Sequence, residues 1–404
     1  MSITKIMIPL LFLLLVFFFQ FASAQSDQKM MIIIIDGARY TETFGDPDYS
    51  WIPRMKAIAA EGTIISDFRN DGITYTNRAI PALWSGAWTE VRDTVYQGKF
   101  TQYSVKPSIF EYYRKYKQES ADNCFYILKY LSSLWLPSFD QSYGPTYWPT
   151  FYSEGIGDEG VCNNTKALMN EEQPDFMWVY LADVDHAGHS GDWNYYTTTL
   201  RRADSIVGVL WDHVQSLPYY QDKTTLIVTN DHGRHDNQHG GFTGHGCGCE
   251  GCRRIQFLAV GPNIKQNFTS FQARILPDMA VTAAHILGFE MEKATGQVMQ
   301  EILKTSSTQE VGARHNLSLN ISPNPTSGMA SVTVFVGEPS EGVLSIFEIT
   351  GKLVISRKLG FLQQGINTFT IGNNSLSEQE LSPGVYLISL KHGGAVVSDK
   401  MIVL

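Results

Sequence analysis

The part of the sequence best suited to chemistry is the end of the apolar run KTTLIVT (223–229), which leads into Asp231, His232 and Gly233. A β-branched run of this kind predicts a buried parallel strand. Neighbouring side chains on a strand point to opposite faces, so Asp231 and His232 can reach one ion only where the backbone turns, and Gly233 permits that turn. A carboxylate and an imidazole are zinc ligands, so this strand end is a candidate metal site. An ordinary strand-to-loop turn would explain the three residues taken alone.

Three other segments supply ligands of the same types after strand-like or loop sequence. The best placed of these ligands are Asp36, Asp185, His189 and His245. Asp36 closes MMIIIID, Asp185 and His189 follow FMWVYL four residues apart, and His245 lies in GFTGHGCGCEGC. Asp183, His186 and His239 are nearby competitors.

Alternating elements must position these side chains. Strands are predicted at Met30 to Ile35, Thr63 to Phe68, Cys124 to Leu128, Phe176 to Leu181, Thr225 to Thr229 and Ile255 to Val260. Helices are predicted at Pro53 to Glu61, Pro107 to Gln118, Tyr195 to Leu217 and Pro277 to Leu287. The alternation predicts an α/β fold with a doubly wound, mostly parallel sheet. Such sheets collect ligands outside the carboxyl ends of their strands.

The two ends of the chain differ from this central part. Lys5, an apolar run to Phe21 and Ala22-Ser23-Ala24 predict a secretory signal peptide over residues 1–24. The catalytic domain is predicted at 25–305 and a linker rich in small polar residues at 306–316. Short alternating segments separated by turn residues predict a small all-β sandwich module at 317–404.

Composition narrows the choice of partners and of redox state. The net charge of −9 argues against a nucleic acid partner. No second stretch is apolar enough to cross a membrane, so the mature protein is expected to have no transmembrane segment. Five cysteines in an exported chain allow two disulfides. We expect Cys124 to pair with Cys162 and a second bridge to involve the loop of Cys247, Cys249 and Cys252, where a structural metal is the less favoured alternative.

In their order along the chain, the four ligand segments resemble the alkaline phosphatase superfamily, and in particular its nucleotide pyrophosphatase/phosphodiesterase branch. The resemblance spans most of residues 30–305, and PDMAVTAAHILG (277–288) resembles the family's closing helix. It implies a centre of two Zn²⁺, although other divalent ions are possible. Asp36, the nucleophile, Asp231 and His232 would hold one ion, and Asp185, His189 and His245 the other.

The nucleophile is expected in GITYTNRAIPALWSG (72–86). Ser85-Gly86 resembles the pair that follows the family nucleophile by nine and ten residues, which selects Thr76. Thr74 is the rival because it lies four residues before Arg78, where sulfatases carry the residue converted to formylglycine. A sulfatase needs Cys or Ser there.

The resemblance therefore implies a secreted phosphoesterase, acting on a small-molecule or glycan-linked phosphodiester or phosphomonoester through a metal-bound threonine and a phosphothreonine intermediate. Asn77, Arg78 and Arg39 are candidate substrate-binding residues, and Arg234 is a further candidate cation. A sulfatase-like or phosphonate hydrolase and an inactive metal-stabilised binding module are the alternatives.

The last ninety or so residues carry a second resemblance. ISPNPTSG (321–328), VLSIFEITGKLV (343–354) and LSPGVYLISLKHGG (381–394) resemble the C-terminal sorting domain of type IX secretion substrates. This implies that the type IX machinery is a partner and that the protein is secreted or displayed on the outer cell surface. A carbohydrate-binding sandwich is the alternative for this module.

Overall fold

The structure is a computed structural model that describes residues 28–129, 135–153, 157–304, 317–336, 339–348, 352–372, 381–393 and 395–404. The chain divides into two compact units, Met1–Lys304 and Thr305–Leu404. The predicted signal peptide and linker lie outside the described residues. Among the described residues, no helix has the length and apolar character that a membrane span requires.

The first unit alternates strands and helices. Its strands are β1 (Lys29–Ile35), β2 (Thr63–Ile65), β3 (Phe68–Arg69), β4 (Val91–Tyr96), β5 (Lys99–Ser104), β6 (Cys124–Leu128), β7 (Trp135–Leu136), β8 (Thr150–Ser153), β9 (Phe176–Leu181), β10 (Thr224–Thr229), β11 (Arg254–Ile255), β12 (Phe257–Val260), β13 (Phe268–Ser270) and β14 (Arg274–Ile275). Its helices are α1 (Pro53–Ala59), α2 (Thr76–Ser85), α3 (Ile109–Lys117), α4 (Gly157–Glu171), α5 (Asp183–His189), α6 (Trp193–Ser216), α7 (Glu250–Arg253) and α8 (Leu276–Leu287).

The central sheet has eight strands in the order β13-β2-β12-β10-β1-β9-β6-β8. Strand β1 is parallel to both β10 and β9, whereas β12 is antiparallel to β10 and β2. Ile34 is in register with Thr229 on one side and with Tyr180 on the other. The carboxyl ends of β1, β9 and β10 therefore lie side by side at one edge of the sheet.

Both faces of this sheet are covered by apolar cores. Met30, Ile32 and Ile34 belong to one core, and the alternate residues of β1 belong to the other. All seven residues of β1 are buried, which explains why the strand reads as a continuous apolar run. The predicted doubly wound α/β fold is confirmed.

The positions of Cys124 and Cys162 relative to the sheet contradict the predicted disulfide between them. Cys124 packs in the core on one face of the sheet, and Cys162 packs in the core on the other face. Both thiols are free, as are those of the other three cysteines. The sheet separates Cys124 from Cys162, so the predicted bridge between them is wrong.

The second unit consists of antiparallel β-structure. Its strands are β15 (Leu317–Ser322), β16 (Ala330–Val336), β17 (Ser340–Glu348), β18 (Leu353–Leu362), β19 (Gly365–Ile371), β20 (Gly384–His392) and β21 (Ala395–Val403). They form one sheet in the order β15-β16-β19 and another in the order β18-β17-β20-β21. Val332, Val334, Ile346 and Ile388 from both sheets share one buried core, so the predicted all-β module is confirmed.

Candidate metal centre

Three predicted ligands meet where β1 and β10 end. His232 Nε2 lies 3.4 Å from Asp36 Oδ1 and 3.4 Å from Asp231 Oδ2. Asp231 and His232 have no exposed surface, and Asp36 is buried as well. The register of β1 with β10 produces this cluster, because it sets the two strand ends at the same level of the sheet.

Thr76 completes this first group of donors. It is the first residue of α2, and its Oγ1 lies 3.0 Å from His232 Nε2. His232 Nδ1 lies 2.9 Å from the Gly233 carbonyl oxygen, to which it can donate its proton, leaving the Nε2 lone pair directed at the other donors. Four oxygen and nitrogen donors therefore surround one point.

A second group forms beside the first, where β9 leads into α5. His189 Nε2 lies 3.2 Å from Asp185 Oδ2 and 3.1 Å from His245 Nε2. His245 Nε2 lies 3.6 Å from Asp185 Oδ1. His245 also stacks on His232, with ring centroids 4.0 Å apart, so the two groups adjoin.

The spacing of both groups fits metal coordination. A tetrahedron with bonds of about 2.0–2.2 Å to nitrogen and oxygen has edges of about 3.3–3.6 Å. The six donor separations given above lie between 3.0 and 3.6 Å. Asp36 Oδ1 and Asp231 Oδ2 are buried and have no hydrogen-bond partner among the described residues. Buried carboxylate oxygens without partners are costly, and a cation between them would satisfy both.

The pKa shifts of the acidic and histidine side chains also favour a bound cation. Burial first, and then the charges of Asp231 and Asp185, raise the pKa of Asp36 well above its usual value. Burial raises the pKa of Asp231 to about 7. Burial, together with the neighbouring His232, lowers the pKa of His245 to about 4, so this imidazole is a neutral donor at neutral pH. Asp36 and Asp231 therefore form a buried acidic pair, whereas Asp185 is compensated by Arg234.

Three residues support the proposed ligands; the sequence did not single out Tyr180 or Asn70, and it marked Arg234 only as a candidate cation for the substrate. Tyr180 donates a hydrogen bond to Asp36 Oδ2, and Arg234 Nη1 donates one to Asp185 Oδ1. Asn70 Nδ2 donates to the Asp231 carbonyl oxygen at 2.9 Å. The only sequence signal for Tyr180 was a hydroxyl within a strand predicted to be buried.

Glycine at position 37 allows this centre to close. Gly37 has φ +66°, and a Cβ there would lie 2.6 Å from Asp185 Oδ1 and 2.8 Å from Arg234 Nη1. Any other side chain would both strain the backbone and separate the strand ends.

The competing sequence candidates lie elsewhere. Asp183 forms an ion pair with Lys129 at 2.8 Å, His186 is exposed, and His239 contacts Asp236 at 2.6 Å. Thr74 is buried, and its Oγ1 donates to the Cys247 carbonyl oxygen at 2.9 Å. Its hydroxyl is therefore directed away from the donor groups, in contrast to that of Thr76.

The predicted substrate-binding residues divide into two kinds. Arg39 is buried and engaged by Glu42 at 2.6 and 2.8 Å, and it also donates to the His235 carbonyl oxygen, so its contacts are structural. Asn77 and Arg78 are half-buried in the first turn of α2 beside Thr76. Arg78 forms no ion pair with a described residue.

Two family models match the chain. Residues 150–291 match the Metalloenzyme superfamily, and residues 320–404 match the Secretion system C-terminal sorting domain. No curated protein matches the sequence.

Solved structures share the fold of the chain at low identity. Murine ectonucleotide pyrophosphatase/phosphodiesterase 5 is 15% identical, with a TM-score of 0.51, and the match covers 69% of this chain and 100% of that one. An inactive variant of that enzyme in complex with AMP is 14% identical, with the same TM-score and coverage. A 2-O GAG sulfatase is 12% identical, with a TM-score of 0.53 and 85% of each chain covered. These structures show that the chain has an alkaline phosphatase-like fold, and the two family models show that it contains a metalloenzyme-superfamily domain followed by a secretion-system C-terminal sorting domain.

Proposed function

We propose that this protein is an exported, zinc-dependent phosphoesterase with Thr76 as its nucleophile. The observation that carries the proposal is the position of Thr76 Oγ1, which lies 3.0 Å from His232 Nε2 among donors spaced for one metal ion. Asp185, His189 and His245 would hold the second ion. The sorting domain supports export.

The proposed hydrolysis takes place in two steps, both of which use Thr76. Two bound divalent ions would lower the pKa of a coordinated hydroxyl and offset charge that builds up on the phosphoryl group. Thr76 Oγ1 loses its proton to solvent and forms a bond to phosphorus as the bond from phosphorus to the leaving oxygen breaks. Water then attacks the phosphothreonine, which restores the hydroxyl.

Helix α2 places the nucleophile in a favourable field. Thr76 occupies the first helical position, so the attacking oxygen and the positive end of the helix face the same space. Backbone N–H groups at the start of a helix bind phosphoryl oxygens well. The Arg78 N–H already donates to the Tyr75 carbonyl oxygen at 2.9 Å, so the N–H groups of Thr76 and Asn77 would serve here. Arg78 is on the same turn and would contact the same oxygens, whereas the Asn77 amide would first have to release Gln102 Oε1, to which it donates at 3.1 Å.

The charge balance favours diesters. Two Zn²⁺ carry four positive charges against the three carboxylates Asp36, Asp185 and Asp231, which leaves about one positive charge before Thr76 ionises. A monoester dianion would need further cations. Of the three described candidate arginines, Arg39 and Arg234 are already paired with Glu42 and Asp185, which leaves Arg78 as the one candidate cation. A diester monoanion needs less compensation, so we propose it as the preferred substrate class.

The nucleophile also separates phosphate from sulfate chemistry. Threonine stands at both candidate positions, 74 and 76, and threonine cannot yield the formylglycine aldehyde on which sulfatases depend. The AMP-bound neighbour is described as inactive after replacement of a threonine by alanine, which agrees with a threonine nucleophile.

The direct test is a hydrolysis panel of bis-nitrophenyl phosphate, nitrophenyl phosphate, a phosphonate monoester and nitrophenyl sulfate. We expect the highest kcat/KM on the diester and loss of turnover on chelation, restored by Zn²⁺. Sulfate hydrolysis above phosphate hydrolysis would overturn the phosphoesterase proposal. The absence of any turnover in zinc-loaded protein would favour a binding module.

A further inference from the structure

A second cluster of metal-binding side chains lies outside the candidate catalytic centre. His235 Nδ1 is 3.0 Å from Cys247 Sγ, 3.3 Å from Cys252 Sγ and 3.9 Å from Cys249 Sγ. The sulfur atoms of Cys247 and Cys252 are 3.7 Å apart. Cys249 and Cys252 are buried and Cys247 is half-buried. Three thiols and one imidazole therefore converge on a single point, which is buried on the side of Cys252 and half-buried on the side of His235 and Cys247.

These separations surround the edge lengths of a zinc tetrahedron, with sulfur–nitrogen distances from 3.0 to 3.9 Å and a sulfur–sulfur distance of 3.7 Å. With Zn–S bonds of about 2.3 Å and Zn–N bonds of about 2.0–2.1 Å, the edges are about 3.8 Å between sulfurs and about 3.5 Å between sulfur and nitrogen. We propose that His235, Cys247, Cys249 and Cys252 bind a structural Zn²⁺. All four positions of the tetrahedron are filled by protein ligands, as in structural rather than catalytic zinc sites.

Hydrogen bonds or a disulfide explain the cluster less well. A neutral imidazole nitrogen carries at most one proton, yet His235 Nδ1 is within 4 Å of three sulfurs. A disulfide has an S–S distance of about 2.05 Å, whereas the sulfurs of Cys247 and Cys252 are 3.7 Å apart. A disulfide would also use only two of the three cysteines and would not account for the nearby histidine.

A neighbouring group competes for one of these ligands. Asp236 and His239 also lie within reach of Cys249. That group has three ligands, and its histidine is exposed and already in contact with Asp236. Zinc favours thiolates and complete coordination, so the four-ligand cluster is the better site.

The loop that carries the cluster has little regular secondary structure. Residues 230–249, all of them described, contain one short 3-10 turn, Gly241–Thr243. Backbone hydrogen bonds close the loop where the Gly233 amide donates to the Cys252 carbonyl oxygen at 2.9 Å. The two ends approach so closely that a Cβ on Gly251 would lie 2.4 Å from the Arg234 carbonyl oxygen. A metal cross-link would hold the long segment between these ends.

The cross-link would also position the catalytic centre. His245 is two residues before Cys247, and its Nδ1 lies 3.0 Å from the Thr74 carbonyl oxygen. The Thr74 hydroxyl in turn donates to the Cys247 carbonyl oxygen. The zinc site therefore anchors one face of the loop while the other face delivers His245 and supports the segment leading to Thr76.

The test combines zinc counting with X-ray absorption at the zinc edge on full-length protein purified without reductant. We expect three zinc ions per chain and a zinc–sulfur shell at about 2.3 Å. Cys249→Ser and His235→Ala should each lose one equivalent of zinc, and Cys249→Ser should weaken the sulfur shell. Cys162→Ser and His239→Ala are the matched controls and should keep all three ions.

Thiol alkylation of the wild-type protein tests the site without relying on variants that could misfold. The thiols of Cys247, Cys249 and Cys252 should resist alkylation until a chelator is added. A disulfide joining any two of them in the native protein, or zinc without a sulfur shell, would overturn the proposal. The sulfur shell reports this site alone, so failure here is distinguishable from an empty catalytic centre, which would remove only nitrogen- and oxygen-bound zinc.

Discussion

Replacing Tyr180 by phenylalanine tests whether Asp36 is a metal ligand. Tyr180 is buried in β9, and its hydroxyl donates to Asp36 Oδ2, leaving Asp36 Oδ1 directed at His232 and Asp231. Burial, followed by the charge of Asp36, raises the pKa of Tyr180 well above its usual value, so the hydroxyl stays a donor. Phenylalanine removes only this oxygen and keeps the ring packing.

The expected loss of zinc affinity in Tyr180→Phe follows from the hydrogen bond to Asp36 that the variant lacks. A hydrogen bond to a charged group contributes about 1.5–3 kcal/mol, and about 1.4 kcal/mol corresponds to a factor of ten. The variant should therefore bind the ion at Asp36 about 10- to 100-fold more weakly, the range found when residues that hold metal ligands are replaced. At saturating Zn²⁺, activity should largely return.

Competition with a fluorescent zinc chelator would measure this affinity, and a zinc titration of activity would measure the recovery. Tyr126→Phe is the matched control, because Tyr126 is also buried near Asp36 but its hydroxyl has no hydrogen-bond partner among the described residues. Equal zinc affinity in the two variants and the wild-type protein would refute the assignment of Asp36 as a ligand oriented by Tyr180.

Three further predictions concern the nucleophile, pH and the second unit. Thr76→Ala should lower kcat by several orders of magnitude while the zinc content stays near that of the wild type. Thr76→Ser should keep part of the rate, and Thr74→Ala should keep most of it. If steady-state assays instead show Thr74→Ala to be inactive and Thr76→Ala to be active, the nucleophile is Thr74. Burial raises the pKa of Asp231 from 3.8 to about 7, so metal-free protein should lose stability as pH rises from 4 through 7 while zinc binds more tightly. The zinc-induced rise in Tm should therefore grow with pH, and a rise that shrinks would contradict this. Residues 1–304 without the second unit should retain turnover but lose sorting, because all proposed ligands precede position 305; an inactive but folded and zinc-loaded fragment would show that the second unit contributes to catalysis.

Much of the fold was readable from the sequence because both faces of the central sheet are buried. Continuous apolar segments with β-branched residues mark β1, β9 and β10, and their predicted limits differ from the observed ones by at most one residue. The predicted strand from Ile255 to Val260 divides into β11 and β12, which pair with different neighbours. Pairing of that kind depends on the tertiary structure.

Helix α2, which begins at the proposed nucleophile Thr76, was harder to predict. Its sequence TNRAIPALWS contains an internal proline, which disfavours a helix, and its starting residue is not preceded by a side chain that caps it. Packing against α8 and the buried core overrides this local preference. Ser85-Gly86, used to select Thr76, forms the end of the same helix, with Gly86 in the left-handed conformation at φ 62°.

The sequence by itself determined the types of the proposed ligands, and it placed Asp36, Asp185 and Asp231 after apolar strands whose carboxyl ends meet at one edge of a parallel sheet. The three-dimensional arrangement alone decided which candidates meet there: it sets Thr76 rather than Thr74 beside His232, directs Arg39 to Glu42 and places Cys124 and Cys162 on opposite faces. The tertiary structure also places His235 beside Cys247, Cys249 and Cys252. These outcomes depend on strand register and on where loops return, which are set by contacts between residues far apart in the chain.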